Sequence, residues 1–173
     1  RDARRLWDLQ RPLIEKHLAA RGLQALYAVP WPPQGLFTTV PVRSAADFRG
    51  TRMRTYNPST ERIAQMLGAT PVDVPMVEVN QSLASRRMDS MITSAVTGVE
   101  NRVWDQIGFY YGINAWFPKN LVFVNRQAFE ALPPTVREAV TRAAARAPGR
   151  GGARGEARAT QSPRGRHPRG LKV

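Results

Sequence analysis

Arg52 and Arg54 are the residues of this 173-residue chain whose type and spacing best suit chemistry, namely the binding of an anion. They alternate with Thr51 and Met53 in an extended segment, so both are predicted to lie on one face of a strand. Arg54 is nearer the carboxyl end of that strand. A guanidinium can hold a carboxylate with two parallel hydrogen bonds. The alternative interpretation is a surface arginine paired with a nearby acid.

The residues after Arg54 add to this predicted anion site because they begin a helix. Tyr56 is followed by Asn57, a favourable cap residue, and by Pro58, which suits the first helical position. Free backbone N–H groups at such a helix start favour negative charge. We therefore expect a carboxylate-binding site where this strand meets this helix.

Polar and aromatic side chains elsewhere could complete a small pocket. Thr93 and Ser94 end a second predicted strand, where their hydroxyls either complete a polar site or cap the helix that follows. Aromatic residues at strand ends or in loops either wall a pocket or belong to the core. These aromatic residues are Trp31, Tyr56, Trp116 and Phe117.

The sequence contains no recognisable catalytic or metal centre. His17 lies on a predicted helix and His167 in the C-terminal tail, and neither has a nucleophile or second ligand near it in sequence. Cysteine is absent, which excludes disulfides, thiolate catalysis and cysteine metal sites. Phosphate-binding loops and nucleophile-elbow motifs are also absent. We therefore expect no enzymatic activity, no cofactor and no metal.

The net charge of +13 suggests nucleic-acid binding as one alternative, but the charge is unevenly distributed. Residues 148–173 contain seven Lys or Arg and one acid, and consist mainly of Arg, Gly, Ala and Pro. Such a composition predicts a disordered basic tail. Out-of-frame translation of a GC-rich gene past Ala147 is the interpretation we favour. A natural solvated tail and a nucleic-acid-binding arm are the alternatives.

Strand and helix patterns alternate along the rest of the chain and predict an α/β fold with a mainly parallel sheet. In such sheets ligands collect beyond the carboxyl ends of the strands. Strands are predicted at residues 23–29, 36–42, 51–56, 69–75, 88–95, 109–117 and 120–125. Helices are predicted at residues 4–20, 57–67, 76–87, 97–104, 126–132 and 133–147.

Over about residues 1–147 the sequence resembles the extracytoplasmic solute receptors (DctP type) of tripartite ATP-independent periplasmic (TRAP) transporters. The most specific stretch is "DFRGTRMRTYNPSTERIAQMLGATPVDVPMVEVNQSLASRRMDSMITS". The positions that match the family pattern are Gly50, Arg54, Gly68, Ala69, Pro71, Val72, Glu78, Val79, Leu83 and Asp89.

The resemblance implies a two-lobed periplasmic-binding-protein-like fold with hinge strands and an incomplete first lobe. Residues 1–33 would belong to the first lobe and 34–118 to the second, while 119–147 would return to the first. Residues 148–173 would be the tail. The chain begins within an amphipathic helix, so we expect native sequence, including an export signal, to precede Arg1.

The resemblance also implies that the arginine matching Arg54 holds the ligand carboxylate. Many members have Asn where Thr93 lies, and a second Arg where Gln34 lies, so a second charge contact is not expected. These departures favour a smaller or more aromatic monocarboxylate. The implied function is capture of a small organic acid in the periplasm and its delivery to the TRAP membrane subunits, with no nucleic acid involved. The effector-sensing domain of a bacterial transcription regulator is the alternative of similar architecture.

Overall fold

The computed structural model describes residues 2–160, with side chains described over residues 5–147. The helices are α1 Asp2–Ala19, α2 Pro58–Met66, α3 Val79–Ala84, α4 Ala95–Glu100, α5 Arg126–Glu130 and α6 Pro134–Thr160. The strands are β1 Leu23–Pro30, β2 Gln34–Thr38, β3 Arg52–Thr55, β4 Thr70–Asp73, β5 Ser90–Ser94, β6 Phe109–Tyr111 and β7 Lys119–Asn125. The predicted α/β class is confirmed. In the part of the chain that is described, every helix is too short or too polar to cross a lipid bilayer.

The chain divides into two compact units. The first consists of residues 1–32 and 117–158, and the second contains residues 33–116. The lobe boundaries expected from the sequence, at 33/34 and 118/119, lie one and two residues from these divisions. The identification of the two units with the lobes of a receptor stays a prediction.

In the first unit, β1 and β7 form an antiparallel two-stranded ladder against which α1 packs. Gly22 ends the α1 region with a φ of +68°, a conformation that glycine adopts at no steric cost. Asn125 caps α5 by accepting a hydrogen bond from the backbone N–H of Ala128, at 3.0 Å. The residues of β7 are half-buried or exposed, and none is fully buried, as in a strand covered on one face.

The last helix is longer than predicted. Its expected end at Ala147 is wrong, since α6 continues to Thr160. This stretch contains Ala and Arg, which favour a helix, but also four glycines and Pro148, which do not, so local propensity does not explain the extension. Residues 161–173 lie outside the described residues, and the frameshift stays a prediction.

The second unit is built on a five-stranded sheet with the order β4-β3-β5-β2-β6. Strand β3 is parallel to β4 and β5, whereas β2 is antiparallel to both of its neighbours. The predicted mainly parallel sheet is therefore corrected to a mixed sheet, with β2 running against the other four strands. Strand β2 follows β1 through a loop and no crossover helix, so the rule relating strand–helix alternation to parallel pairing does not apply to it.

Each face of this sheet packs against its own hydrophobic core, and each face is named here after the helix that packs on it. On the α3 face, Phe37 and Met91 pack with Val79 and Leu83 of α3. On the α2 face, Leu36, Met53 and Ile92 pack with Ala64 of α2. Because side chains alternate along a strand, these cores fix the face on which every other strand residue lies.

Two predicted boundaries next to the sheet are also corrected. Strand β6 ends at Tyr111 and not at residue 117, because the chain leaves the ladder and Asn114 adopts a φ of +48°. The helix after β5 begins at Ala95 and not at Thr97, since the Ser94 hydroxyl accepts the backbone N–H of Thr97 and caps it.

Candidate functional site

The candidate site lies at the end of the sheet where strands β3 and β5 finish and β2 begins. This end of the sheet, at the carboxyl ends of β3 and β5, is called the β3–β5 edge below. Parallel strands β3 and β5 bring their carboxyl ends to this edge, and antiparallel β2 enters from it. Gly35 of β2 pairs with Thr93 of β5, and Gln34 pairs with Ser94. This is the edge at which open α/β sheets bind ligands.

Arg54 is a buried cation on the α3 face of this edge. The register pairs it with Val72 of β4, which packs against the α3-face core. Only 6% of the residue is exposed, and its Nε donates a 2.7 Å hydrogen bond to the carbonyl oxygen of Val74. Nη1 and Nη2 have no hydrogen-bond partner among the described residues. Two parallel N–H donors are therefore left for a ligand.

The electrostatics of Arg54 also favour an anion. Burial lowers the pKa of its guanidinium, against the opposing effect of Tyr56 and Asp73 nearby. The group stays charged at neutral pH, because the ordinary pKa of an arginine lies far above 7. Among the side chains that are described, no carboxylate comes within 4 Å of it. A buried charge without a paired anion is costly, so binding a carboxylate would recover much of that cost.

Arg52, by contrast, already has its partner. Its Nε and Nη2 donate to the two carboxylate oxygens of Asp89 at 3.0 and 2.9 Å, and its backbone N–H donates to the same carboxylate at 2.8 Å. Arg52 thus fits the ordinary ion-pair interpretation, whereas Arg54 does not. The pair also ties the start of β3 to the residue that precedes β5.

The two hydroxyls at the end of β5 lie on opposite faces of the sheet. Thr93 is two residues from Met91 and so shares the α3 face with Arg54, one strand away. Its hydroxyl has no hydrogen-bond partner within the part of the chain that is described. Ser94 lies on the α2 face, where it bonds the Thr97 hydroxyl at 2.8 Å and caps α4. For Ser94, the cap is the role that the structure shows.

Gln34 and Asn57 are also engaged in structure. Gln34 is buried on the α2 face, and its backbone exchanges hydrogen bonds with Ala115 and Trp116. The side chain of Asn57 accepts the Thr60 backbone N–H at 2.9 Å and caps α2, as the sequence indicates. This cap position is where the predicted helix start meets the end of β3.

The predicted aromatic residues divide between the two units. Tyr56 is 43% exposed, with the Arg54 guanidinium 5.1 Å from its ring centroid, so it is the aromatic neighbour of the cation. Trp116 is half-buried and packs on the α2-face core. Trp31 and the exposed Phe117 belong to the first unit. His17 is exposed on α1, away from any second ligand among the described residues.

Tyr110 is a candidate site residue that the sequence reasoning missed. Its ring lies on the α3 face, 4.7 Å from the ring of Phe37, and covers Gly35. A Cβ on Gly35 would come within 2.4 to 2.7 Å of the ring and hydroxyl of Tyr110. Because Tyr110 and Tyr111 are adjacent in β6, the sequence indicates that their side chains lie on opposite faces of the sheet. Only the strand order shows that β6 lies beside β2, which brings Tyr110 over Gly35.

Comparisons with known proteins agree with this fold. Residues 11–159 match the model of the family described as "Bacterial extracellular solute-binding protein, family 7" (DctP). A Bordetella pertussis extracytoplasmic solute receptor, DctP7, described as binding pyroglutamic acid, is 40% identical with a TM-score of 0.86. A solute-binding protein from a marine metagenome, described as specific for pyroglutamate, is 35% identical with the same TM-score.

The chain spans about half the length of these solved structures. It aligns over 92% of its own length with each of them, but over 53% of DctP7 and 52% of the metagenomic protein. The 2,3-diketo-L-gulonate-binding periplasmic protein YiaO of Escherichia coli is 27% identical over 60% of this chain and 32% of YiaO. The matched family is one of solute receptors and not of enzymes.

Proposed function

We propose that this chain, which belongs to family 7 of the bacterial extracellular solute-binding proteins, binds a small organic carboxylate through Arg54 at the β3–β5 edge of its second unit. The observation that supports the proposal most strongly is the pairing pattern of the two arginines. Arg52 is satisfied by Asp89, whereas the two terminal nitrogens of buried Arg54 are left without a described partner.

Three features of the edge suit a carboxylate. The guanidinium offers parallel donors, the geometry that a carboxylate accepts with both oxygens. The Thr93 hydroxyl lies on the same face one strand away and can donate a further hydrogen bond. The Tyr56 ring beside the cation excludes water from one side and thereby strengthens the electrostatic attraction. These groups bind and orient a ligand, and the proposal includes no catalytic step.

Pyroglutamate is the first ligand to test. The two solved relatives at 35 and 40% identity are both described as binding it. It carries one carboxylate on a small ring, which agrees with a site where one arginine is available. As part of the same proposal, the protein acts in the periplasm and delivers its ligand to TRAP membrane subunits.

The two alternative functions have no observation in their favour on the described residues. An effector-sensing domain of a transcription regulator would follow a DNA-binding segment in its gene. A nucleic-acid-binding protein would bind DNA with an affinity that falls steeply as salt rises. Because the chain carries a net charge of +13, some non-specific, salt-dependent DNA binding is expected of the receptor as well, so only a preference for one DNA sequence over others would favour this alternative.

A titration of the 15N-labelled chain by NMR tests the proposed function. The ligands are pyroglutamate and its uncharged amide, each taken to millimolar concentration so that weak binding is still detected. We expect saturable shifts at Arg54 and Thr93 with the acid, and at least about tenfold weaker binding of the amide, because hydrogen bonds to charged groups are the stronger ones.

The control for this experiment is the same titration with acetate. Acetate has the charge but not the ring, so it should shift the same resonances at higher concentration. Equal affinity for the acid and the amide, or no response of the β3–β5 edge to any of these carboxylates, would contradict the proposed function.

A further inference from the structure

Tyr110 and Gly35 form a second polar element on the α3 face, separate from the arginine. The phenol ring of Tyr110 reaches from β6 over β2 and occupies the space that a side chain at position 35 would take. The ring is held there by its tilted contact with Phe37, a core residue that is 3% exposed. The glycine and the tyrosine therefore depend on each other for this arrangement.

The Tyr110 hydroxyl has no hydrogen-bond partner from the described residues. Ser90 is the described residue whose side-chain oxygen is both sealed from solvent and without a partner. The hydroxyls of Tyr110 and Thr93 and the terminal nitrogens of Arg54 have no partner among the described residues either, but unlike Ser90 they are not sealed from solvent. Partial burial raises the pKa of Tyr110, so its hydroxyl stays protonated at neutral pH and can donate.

The sheet order sets the spacing between these groups. Arg54 is on β3 and Thr93 on β5, while the phenol lies over Gly35 of β2, two strands from Arg54. Neighbouring strands are about 4.8 Å apart, and the register places Gly35 two residues further along the sheet than Arg54, so roughly 12 Å separates the two backbones. This span accommodates one small ring with a polar group at each end.

We propose that the Tyr110 hydroxyl, positioned by Gly35, donates a hydrogen bond to a carbonyl on the ligand end opposite the carboxylate, and so determines which carboxylates bind. The inference rests on the proposed function, since it assigns the carboxylate to Arg54. In pyroglutamate the accepting group is the lactam carbonyl. Cyclopentanecarboxylate has a ring of the same size and the same charge but no such acceptor.

Tyr110→Phe and Tyr111→Phe test this inference as a matched pair. Tyr110→Phe keeps the ring and its contact with Phe37 but removes the hydroxyl. Tyr111 lies on the α2 face, where its hydroxyl accepts the Val42 backbone N–H at 2.7 Å, so its substitution removes a phenol hydroxyl away from the site. Dissociation constants for pyroglutamate and cyclopentanecarboxylate are measured by NMR titration of each variant and of the wild type.

We expect Tyr110→Phe to weaken pyroglutamate binding by about fivefold to tenfold and to leave cyclopentanecarboxylate unchanged, as for loss of one neutral hydrogen bond. Tyr111→Phe should leave both affinities unchanged. If Tyr110→Phe binds pyroglutamate as wild type does, or loses affinity for both ligands equally, the inference is wrong and Arg54 can still be the carboxylate site. If the wild type binds neither compound, it is the proposed function that fails.

Discussion

Ser90 and Ser94 of β5 are buried serines on the same strand face with opposite hydrogen-bonding states. The Ser90 hydroxyl is enclosed and has no partner among the described residues, whereas the Ser94 hydroxyl accepts the Thr97 backbone N–H at 3.0 Å. A buried polar group without a partner destabilises a fold, while a cap stabilises a helix start. The same substitution at these two positions should therefore have opposite effects.

Ser90→Ala should leave the free energy of unfolding unchanged or raise it by up to about 1 kcal/mol, because the hydroxyl loses no bond. Ser94→Ala should lower it by about 1 kcal/mol, because the α4 cap is lost. Urea unfolding followed by circular dichroism measures both. A loss at Ser90→Ala equal to that at Ser94→Ala would show that Ser90 has a partner in solution.

For single residues, the sequence predicts which residues could belong to a binding site better than it predicts what each of them does. The sequence distinguishes Arg54 from Arg52 only by its nearness to the strand end, because the Asp89 partner of Arg52 is 37 positions away. On sequence alone Thr93 and Ser94 are treated alike, but because side chains alternate along β5 the two hydroxyls lie on opposite faces of the sheet. Gly35 and Tyr110 are joined by strand order, which the sequence alone does not reveal.

Among the elements, β3 and β5 are joined by the ion pair of Arg52 with Asp89 in addition to their backbone pairing. Burial alone would raise the pKa of Asp89, but hydrogen bonds from the side chain and backbone of Arg52, together with its charge, outweigh burial and lower it. A carboxyl whose pKa is lowered by folding contributes stability above its unfolded pKa of about 3.9. That contribution is lost as the pH falls from there through the folded pKa.

Asp89→Asn should lower the free energy of unfolding at pH 7 by about 1 to 3 kcal/mol, as expected for charged hydrogen bonds. It should also reduce the loss of stability between pH 5 and about pH 3, because the titrating group is gone. Asp105→Asn is the control, since its pair with Arg102 is a 3.7 Å contact between exposed side chains. If the wild type and Asp89→Asn lose stability in parallel on acidification, Asp89 is not the group responsible.

Helix α4 packs on the sheet through Gly98. A Cβ there would lie 2.6 Å from Cζ of Phe37, which is buried in the α3-face core. Gly98→Ala should therefore lower the free energy of unfolding by about 1 to 3 kcal/mol through overpacking. Gly112→Ala, where no atom of the described residues lies within 4 Å of the new Cβ, should have little effect when both variants are compared by thermal unfolding. Equal melting temperatures for the two variants would contradict this packing.

The elements show where sequence reasoning succeeds. Local signals gave α2 with its Asn57 cap and the glycine that ends α1, because caps and left-handed glycines depend on neighbouring residues alone. The antiparallel direction of β2 was missed, because it depends on a chain crossing between units. The end of α6 lies beyond the predicted one although Pro148 and four glycines follow Ala147, and local propensity does not account for it.

For the molecule as a whole, family membership is the firmest result, since an ordered series of motifs along the chain predicted it and the family match confirms it. Each of the two units has its own strands, and the proposed binding edge belongs to the second. The sequence predicts family membership because the order of the motifs can be seen along the whole chain. It could not predict which polar groups are left unpaired, because pairing is decided by contacts between distant residues.

The central claim, that Arg54 binds the ligand carboxylate, is tested most directly by pyroglutamate titrations of Arg54→Ala, Arg54→Lys and Arg52→Ala. Removing one partner of a desolvated charge pair costs about 2 to 5 kcal/mol, so Arg54→Ala should weaken binding by about thirty-fold or more. Arg54→Lys should also bind less tightly than wild type, because a single ammonium does not reproduce the two parallel donors. Arg52→Ala should keep its affinity within about threefold while losing stability. Wild-type affinity in Arg54→Ala would contradict the account.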